Sequence, residues 1–313
     1  MRPWIFALCF VLSVACLNGQ KTVWPPEPGH MQVPIWPGAA PDAQPVAGPE
    51  YFTTTTKQED IIAGRPFVYV ERVSRPTMTV YSPTGKNTGA AVVVFPGGGY
   101  WDLAIDLEGT EVCDWLTPKG ISCVVLKYRV PGDGLEPRSG PYPRSPMALE
   151  DAQRTMGLVR FHAAEWHIDP GKIGVLGFSA GGHLVAAIST HFEKRLYPMI
   201  DAADKESCRP DFAVALYPGH LWIGSEKWEL NPSVPVTNQT PPTFLLQAEN
   251  DNVDTVNNSL VYYIALKKAG VPSEMHLYAE GKHAFGSRPT ELPITRWPEL
   301  VETWLRALGM VPN

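Results

Sequence analysis

The stretch Ile173-Gly174-Val175-Leu176-Gly177-Phe178-Ser179-Ala180-Gly181-Gly182-His183-Leu184-Val185-Ala186-Ala187 decides how this chain folds. Its opening four residues form a short apolar run of the kind buried on both faces of a parallel sheet. Its closing part, with Leu184, Val185, Ala186 and Ala187, predicts an amphipathic helix. Between them Gly177-Phe178-Ser179-Ala180-Gly181 fits G-x-S-x-G, a sharp strand-to-helix turn that holds a serine above a sheet. Glycines flank the serine because a side chain at either place would collide with the adjacent strand or helix. A chance match in a Gly/Ser loop would lack the strand and helix on its two sides.

Similar runs recur on both sides of this segment. Ala91-Val92-Val93-Val94-Phe95, Ser122-Cys123-Val124-Val125-Leu126, Phe212-Ala213-Val214-Ala215-Leu216, Thr243-Phe244-Leu245-Leu246 and Met275-His276-Leu277-Tyr278 each predict a short strand. Helical stretches lie between them. Ser145-Pro146 supplies an N-cap and a proline at the first helical position, ahead of Leu149, Ala152, Met156 and Val159 on one face. Another helix is expected over 256–268, stopped by Gly270, where a left-handed residue is easiest for glycine. Such alternation implies an α/β fold, a mostly parallel central sheet with helices on both faces.

The 313 residues carry a formal net charge of -6; 44% are hydrophobic and 19% charged, which supports a large core and excludes disorder. An acidic balance without any Lys/Arg run argues against nucleic acid and anionic membrane surfaces as partners, and suits a small-molecule or oligosaccharide substrate. Behind Arg2, the apolar stretch 4–17 falls short of the ~20 apolar residues of a spanning helix, and small residues near Ala15 and Gly19 offer cleavage sites. Residues 1–20 are read as a signal peptide, so a secreted or periplasmic protein without a transmembrane span is expected. Ser13-Val14-Ala15-Cys16 resembles a bacterial lipoprotein box with Ser13 in place of the usual Leu, which makes a lipid anchor at Cys16 a further expectation. Residues 21–60, crowded with Pro and Gly, are expected to form an extended arm before a catalytic domain at 61–313. Cys113, Cys123 and Cys208 are odd in number and lack Cys-x-x-Cys spacing, so they read as small buried thiols, with no disulfide framework and no metal site.

A serine hydroxyl is a poor nucleophile at its own pKa and needs a histidine base oriented by a carboxylate. In Gln247-Ala248-Glu249-Asn250-Asp251-Asn252-Val253 a strand end opens into a polar loop, where Asp251 is the best-placed acid and Asp254 the alternative. Gly281-Lys282-His283-Ala284-Phe285-Gly286 is a glycine-bounded loop after the next strand, and His283 is the expected base. His183 stands four residues beyond Ser179 on the same helix, where it could not reach the open side of the serine; it reads as a buried, hydrogen-bonded residue. His276 lies within a strand and His30 in the arm, while His162, His167, His191 and His220 have no motif around them. Pro96-Gly97-Gly98-Gly99-Tyr100 follows the strand 91–95 and can present backbone N–H groups to a developing oxyanion, joined by the N–H of Ala180. No Lys-Ser/Thr follows these glycines, which weighs against nucleotide binding, and no cofactor is expected.

These residues resemble the α/β-hydrolase esterases, in particular the acetyl esterase and acetylxylan-esterase-like group within the hormone-sensitive-lipase-like set. The resemblance rests on Ile35-Trp36-Pro37-Gly38, Pro96-Gly97-Gly98-Gly99-Tyr100, Ala148-Leu149-Glu150-Asp151-Ala152, Gly177-Phe178-Ser179-Ala180-Gly181-Gly182-His183, Asp251 and the loop 281–286. It implies an α/β-hydrolase fold, a triad of Ser179, Asp251 and His283, and oxyanion donors at Gly98, Gly99 and Ala180. Two departures stand out: Pro96 replaces the histidine that opens the glycine loop in many relatives, and Asp254-Thr255 replaces a Val-Pro after the acid.

The expected activity is hydrolysis of carboxylic esters through an acyl-enzyme, with acetyl groups on xylan or xylo-oligosaccharides as the first substrate. Tyr100 and Trp101 after the glycine loop, and Trp222 in a cap-like insertion with Trp228, are the expected substrate contacts, because flat aromatic faces suit sugar rings. A general short-chain carboxylesterase and a secreted serine peptidase of the same fold are the enzymatic alternatives. A binding module on a hydrolase fold is the non-enzymatic one.

Overall fold

In chain order the elements are β1 (Met31–Pro34), β2 (Tyr51–Thr54), β3 (Val68–Glu71), β4 (Thr77–Tyr81), β5 (Ala91–Phe95), β6 (Asp102–Ala104), α1 (Glu111–Leu116), β7 (Ser122–Lys127) and α2 (Met147–Phe161). They continue with β8 (Ile173–Phe178), α3 (Ala180–Ile188), β9 (Ala213–Leu216), β10 (Thr243–Ala248), α4 (Asn257–Lys268), β11 (Ser273–Tyr278) and α5 (Trp297–Ala307). The structure is a computed structural model and describes residues 24, 28–43, 46, 48–57, 61–130, 146–224 and 227–312. The signal peptide read over residues 1–20, the lipid anchor at Cys16, and Ser145 lie outside the described residues.

Eight strands form one sheet in the order β1-β4-β7-β5-β8-β9-β10-β11, and β2, β3 and β6 form a small antiparallel sheet. From β7 to β11 every pairing is parallel, and β4 alone runs against the others. Strands β5, β7, β8, β9 and β10 are buried along their whole length, as their unbroken apolar runs demand. The helices cover both faces. A Cβ at Gly177 would stand 3.0 Å from Val185 of α3, whereas the next residue, Phe178, packs its ring 5.8 Å from that of Trp297 in α5. Successive strand residues point to opposite faces, so α3 and α5 lie on opposite sides of the sheet.

Three sequence expectations shift. Pro146 occupies the cap of α2 and the helix begins at Met147, one residue later than expected. Part of the proline-rich arm is built into the main sheet, where β1 pairs antiparallel with β4 as an edge strand; an edge tolerates Pro34, which has no N–H to donate. Directly after it Ile35 and Trp36 are buried, and Trp36 Nε1 donates to Asp151 Oδ1 at 2.8 Å. The third shift is a correction: Cys113 and Cys123 are joined in a disulfide, while Cys208 is a free buried thiol. Spacing could not reveal the bond because α1 turns back onto β7 over ten residues, and that packing alone brings the two Cα atoms to 5.3 Å. Among the described residues no helix is long and apolar enough to cross a membrane.

Candidate active site

The carboxyl ends of β5, β8, β10 and β11 converge, and each hands a different group to one place. At the end of β8 Ser179 adopts φ 52°, ψ -118°, a conformation that L-residues avoid and that turns its side chain off the sheet. Both flanking glycines are required by contact. A Cβ on Gly177 would meet the Gly181 carbonyl oxygen at 2.2 Å, and one on Gly181 would meet the Phe95 carbonyl oxygen at 2.0 Å.

His283, in the loop after β11, stands with Nε2 3.0 Å from Ser179 Oγ and Nδ1 2.8 Å from Asp251 Oδ2. Asp251 is 4% exposed, and its Oδ1 accepts from the N–H groups of Val253 and Asp254, both at 3.0 Å. The acid turn and the histidine loop are tied together by Asn250, whose Oδ1 accepts from the N–H groups of Gly281 and Lys282. Burial works against charging His283, but the Asp251 hydrogen bond and the charges of Asp251, Asp254 and Glu108 outweigh it and hold the imidazole above its ordinary value. The two candidate acids thus take different places. Asp251 meets Nδ1, while Asp254 lies across the ring with Oδ2 3.8 Å from Nε2 and 3.3 Å from Ser179 Oγ.

A cavity of about 470 Å³ is lined by Ser179, Gly98, Gly99, Trp101, Asp254 and His283, with Phe67 and Tyr69 also on its wall. Gly98 and Gly99 have φ 129° and 61°, and a Cβ at Gly98 would strike Asp102 at 2.2 Å, so this loop admits only glycine there. Ala180 opens α3 at the first helical position, where a backbone N–H has no acceptor within the helix. Of the expected substrate contacts, Trp101 lines the cavity, whereas Tyr100 and Trp222 do not. Tyr100 turns into the core, its hydroxyl 2.9 Å from Nδ1 of fully buried His183. Trp222 sends its Nε1–H to the Lys227 carbonyl and packs on Trp228.

Several residues at the site carry no sequence pattern. Glu108 sits in a π-helical turn, Asp106–Thr110, and is 2% exposed. Its Oε2 accepts from the Gly97 N–H at 2.7 Å and its Oε1 from the Tyr217 hydroxyl at 2.8 Å, while Tyr217 in turn accepts from the Gly286 N–H. One buried carboxyl therefore ties the glycine loop to the histidine loop. Burial pushes the Glu108 carboxyl up, and the same cause, with Glu71 and Glu108 adding to it, pushes Asp102 to about 7. His220, unremarkable in the sequence, lines the cavity beside Asp254; burial lowers the imidazole and raises the carboxyl. Among the described residues no group of three or more His, Cys, Asp or Glu side chains could hold a metal ion.

A parallel sheet with a serine turned out at a strand end, an imidazole against it and a carboxyl behind the imidazole defines an α/β-type hydrolase. The chain belongs to the alpha/beta hydrolase fold family, which matches residues 92–287. It is 31% identical over 222 residues to an acetylxylan esterase of Xylanibacter ruminicola, covering 64% of this chain and 42% of that protein. Endo-1,4-beta-xylanase B of Butyrivibrio fibrisolvens is 28% identical over 225 residues, 66% of this chain and 34% of the relative. The chain spans less than half the length of both relatives. Among solved structures, an acetyl ester-xyloside bifunctional hydrolase from Caldicellulosiruptor lactoaceticus aligns with a TM-score of 0.66 at 33% identity, covering 90% of this chain and 97% of that one. The chain has the α/β-hydrolase fold and is similar to an acetylxylan esterase and an acetyl ester-xyloside hydrolase.

Proposed function

We propose that this protein is a secreted serine esterase that removes acetyl groups from carbohydrate, with xylan or xylo-oligosaccharide esters as its first substrates. The observation that carries the reading is the line of Ser179, His283 and buried Asp251, with Ser179 and His283 lining an open cavity. Ser179 Oγ attacks the ester carbonyl as His283 Nε2 takes its proton; Asp251 holds the Nδ1–H and stabilises the imidazolium. The carbonyl oxygen becomes an oxyanion beside the N–H groups of Gly98, Gly99 and Ala180. Collapse expels the alcohol, protonated by His283, and a water activated by the same imidazole then releases acetate from Ser179.

Trp101 on the cavity wall supports a carbohydrate substrate, since an indole face packs against the apolar face of a sugar ring. Export is supported by the apolar stretch 4–17 and by the Cys113–Cys123 disulfide, a bond that persists in oxidising compartments.

The test is acetate release from acetylated xylo-oligosaccharides against p-nitrophenyl acetate and butyrate. Preference for the sugar esters is expected, and equal or greater use of butyrate would replace the reading with a general short-chain esterase. Ser179→Ala should lower kcat by at least about 10⁴-fold. Covalent labelling of Ser179 by a fluorophosphonate separates an enzyme from a binding module, which would stay unlabelled.

A further inference from the structure

The mechanism leaves the carboxyl of Asp254 on the cavity wall unused. Asp254 is fixed at its backbone, with its N–H on Asp251 Oδ1 and its C=O accepting from Gln247 Nε2. Its carboxyl lies against Gly219, where any Cβ would come within 2.6 Å of both oxygens. The side chain is 15% exposed and faces the cavity. Among the described residues the hydrogen-bond contact of this carboxyl is Ser179 Oγ at 3.3 Å.

The hydroxyl has a single proton, and in the reactive arrangement it points to His283 Nε2 at 3.0 Å, so Ser179 leaves Asp254 without a donor. A largely buried carboxyl therefore has an acceptor position for the substrate to satisfy, and leaving it empty is unfavourable. The position of the carboxyl says what can fill it. His283 Nε2 must protonate the departing alcohol oxygen, so that oxygen lies within hydrogen-bond reach of Nε2. Asp254 Oδ2 is 3.8 Å from the same nitrogen. A hydroxyl on the carbon next to the ester-bearing carbon is the group of the alcohol that falls between the two.

We propose that Asp254 accepts a hydrogen bond from a free hydroxyl vicinal to the scissile ester, so that the preferred substrates are monoacyl esters of 1,2-diols, the pattern of a partially acetylated sugar ring. This rests on the serine-esterase reading above and specifies which carbohydrate esters that site selects. Sites built to bond a substrate hydroxyl discriminate strongly against analogues that lack it, because the protein group is left unpaired.

The test compares kcat/KM for trans-2-hydroxycyclohexyl acetate, its 2-methoxy analogue and cyclohexyl acetate in the wild type, Asp254→Ala and Asp254→Asn. The wild type should favour the hydroxy ester by about ten-fold or more, and Asp254→Ala should compress the ratio to within about three-fold. Asp254→Asn, which keeps one acceptor oxygen, should fall between them. Each ratio is taken within one preparation, so partial misfolding cancels, and the Asn variant carries the comparison if the Ala variant is insoluble. Equal kcat/KM for the three esters in the wild type, or an unchanged preference in the variants, would overturn this inference alone. No turnover of any ester by the wild type, or turnover retained in Ser179→Ala, would overturn the serine-esterase reading and this inference with it.

Discussion

His283 has a carboxyl near each ring nitrogen, Asp251 at Nδ1 and Asp254 near Nε2, and a third in Glu108 behind them. Its value is raised, and only the neutral ring can take the serine proton, so activity is present above that value and lost as pH falls through it. The acid limb of kcat/KM should therefore lie above the ~6.5 of an ordinary histidine. Asp254→Asn removes one negative charge beside the ring and should move the limb to lower pH; a limb already below about 6 in the wild type would contradict this assignment. Glu108 makes a separate prediction. A Gln there faces two donors, the Gly97 N–H and the Tyr217 hydroxyl, with one acceptor oxygen and one amide donor. Glu108→Gln should lower kcat by about 10- to 100-fold with little change in KM, through loss of alignment between the two loops, and stopped-flow acylation would read it. Ser179 and His283 could be found from their glycine-framed motifs, because each motif encodes its own turn. Glu108 could not, since a buried glutamate has no local signature and is set by partners far along the chain.

Among the elements, unbroken apolar runs marked β5, β7, β8, β9 and β10, because burial on both faces leaves no room for alternation. The period-two pattern Thr77-Met78-Thr79-Val80-Tyr81 was available for β4, but β2, β3 and β6 are three or four residues long, too short for periodicity to register. The bond between α1 and β7 is a property of how these two elements pack. Closing a loop of ten residues, it should stabilise the fold by about 2 to 3 kcal/mol, so a Cys113→Ala/Cys123→Ala variant should unfold at a lower urea midpoint. An unchanged midpoint would show that the bond constrains nothing.

Across the molecule, the arm and the catalytic sheet are held by a buried polar cluster. Asp151 is fully buried and receives the Trp36 indole, the Arg129 backbone N–H at 2.9 Å and the Arg129 guanidinium, while Glu150 takes Arg129 Nη2 at 2.9 Å. Arg154 Nε donates to the Ile35 carbonyl from the same helix. This gives Ile35-Trp36 and Glu150-Asp151 one structural meaning, the docking of the arm on α2. Asp151→Ala strips Arg129 of a buried partner and should cost about 3 to 5 kcal/mol by urea unfolding; a loss under 1 kcal/mol would show the cluster to be dispensable. The amino acids alone dictate the α/β class, the serine turn, the glycine loop and the histidine loop, because each follows from apolar periodicity or from the backbone freedom of glycine within a few residues. Long-range packing assigns the rest: which of two aspartates meets Nδ1, that Tyr100 faces the core and Trp101 the cavity, that Cys113 meets Cys123, and that Glu108 joins two loops. Those outcomes depend on distances between segments, which no local preference of the chain encodes.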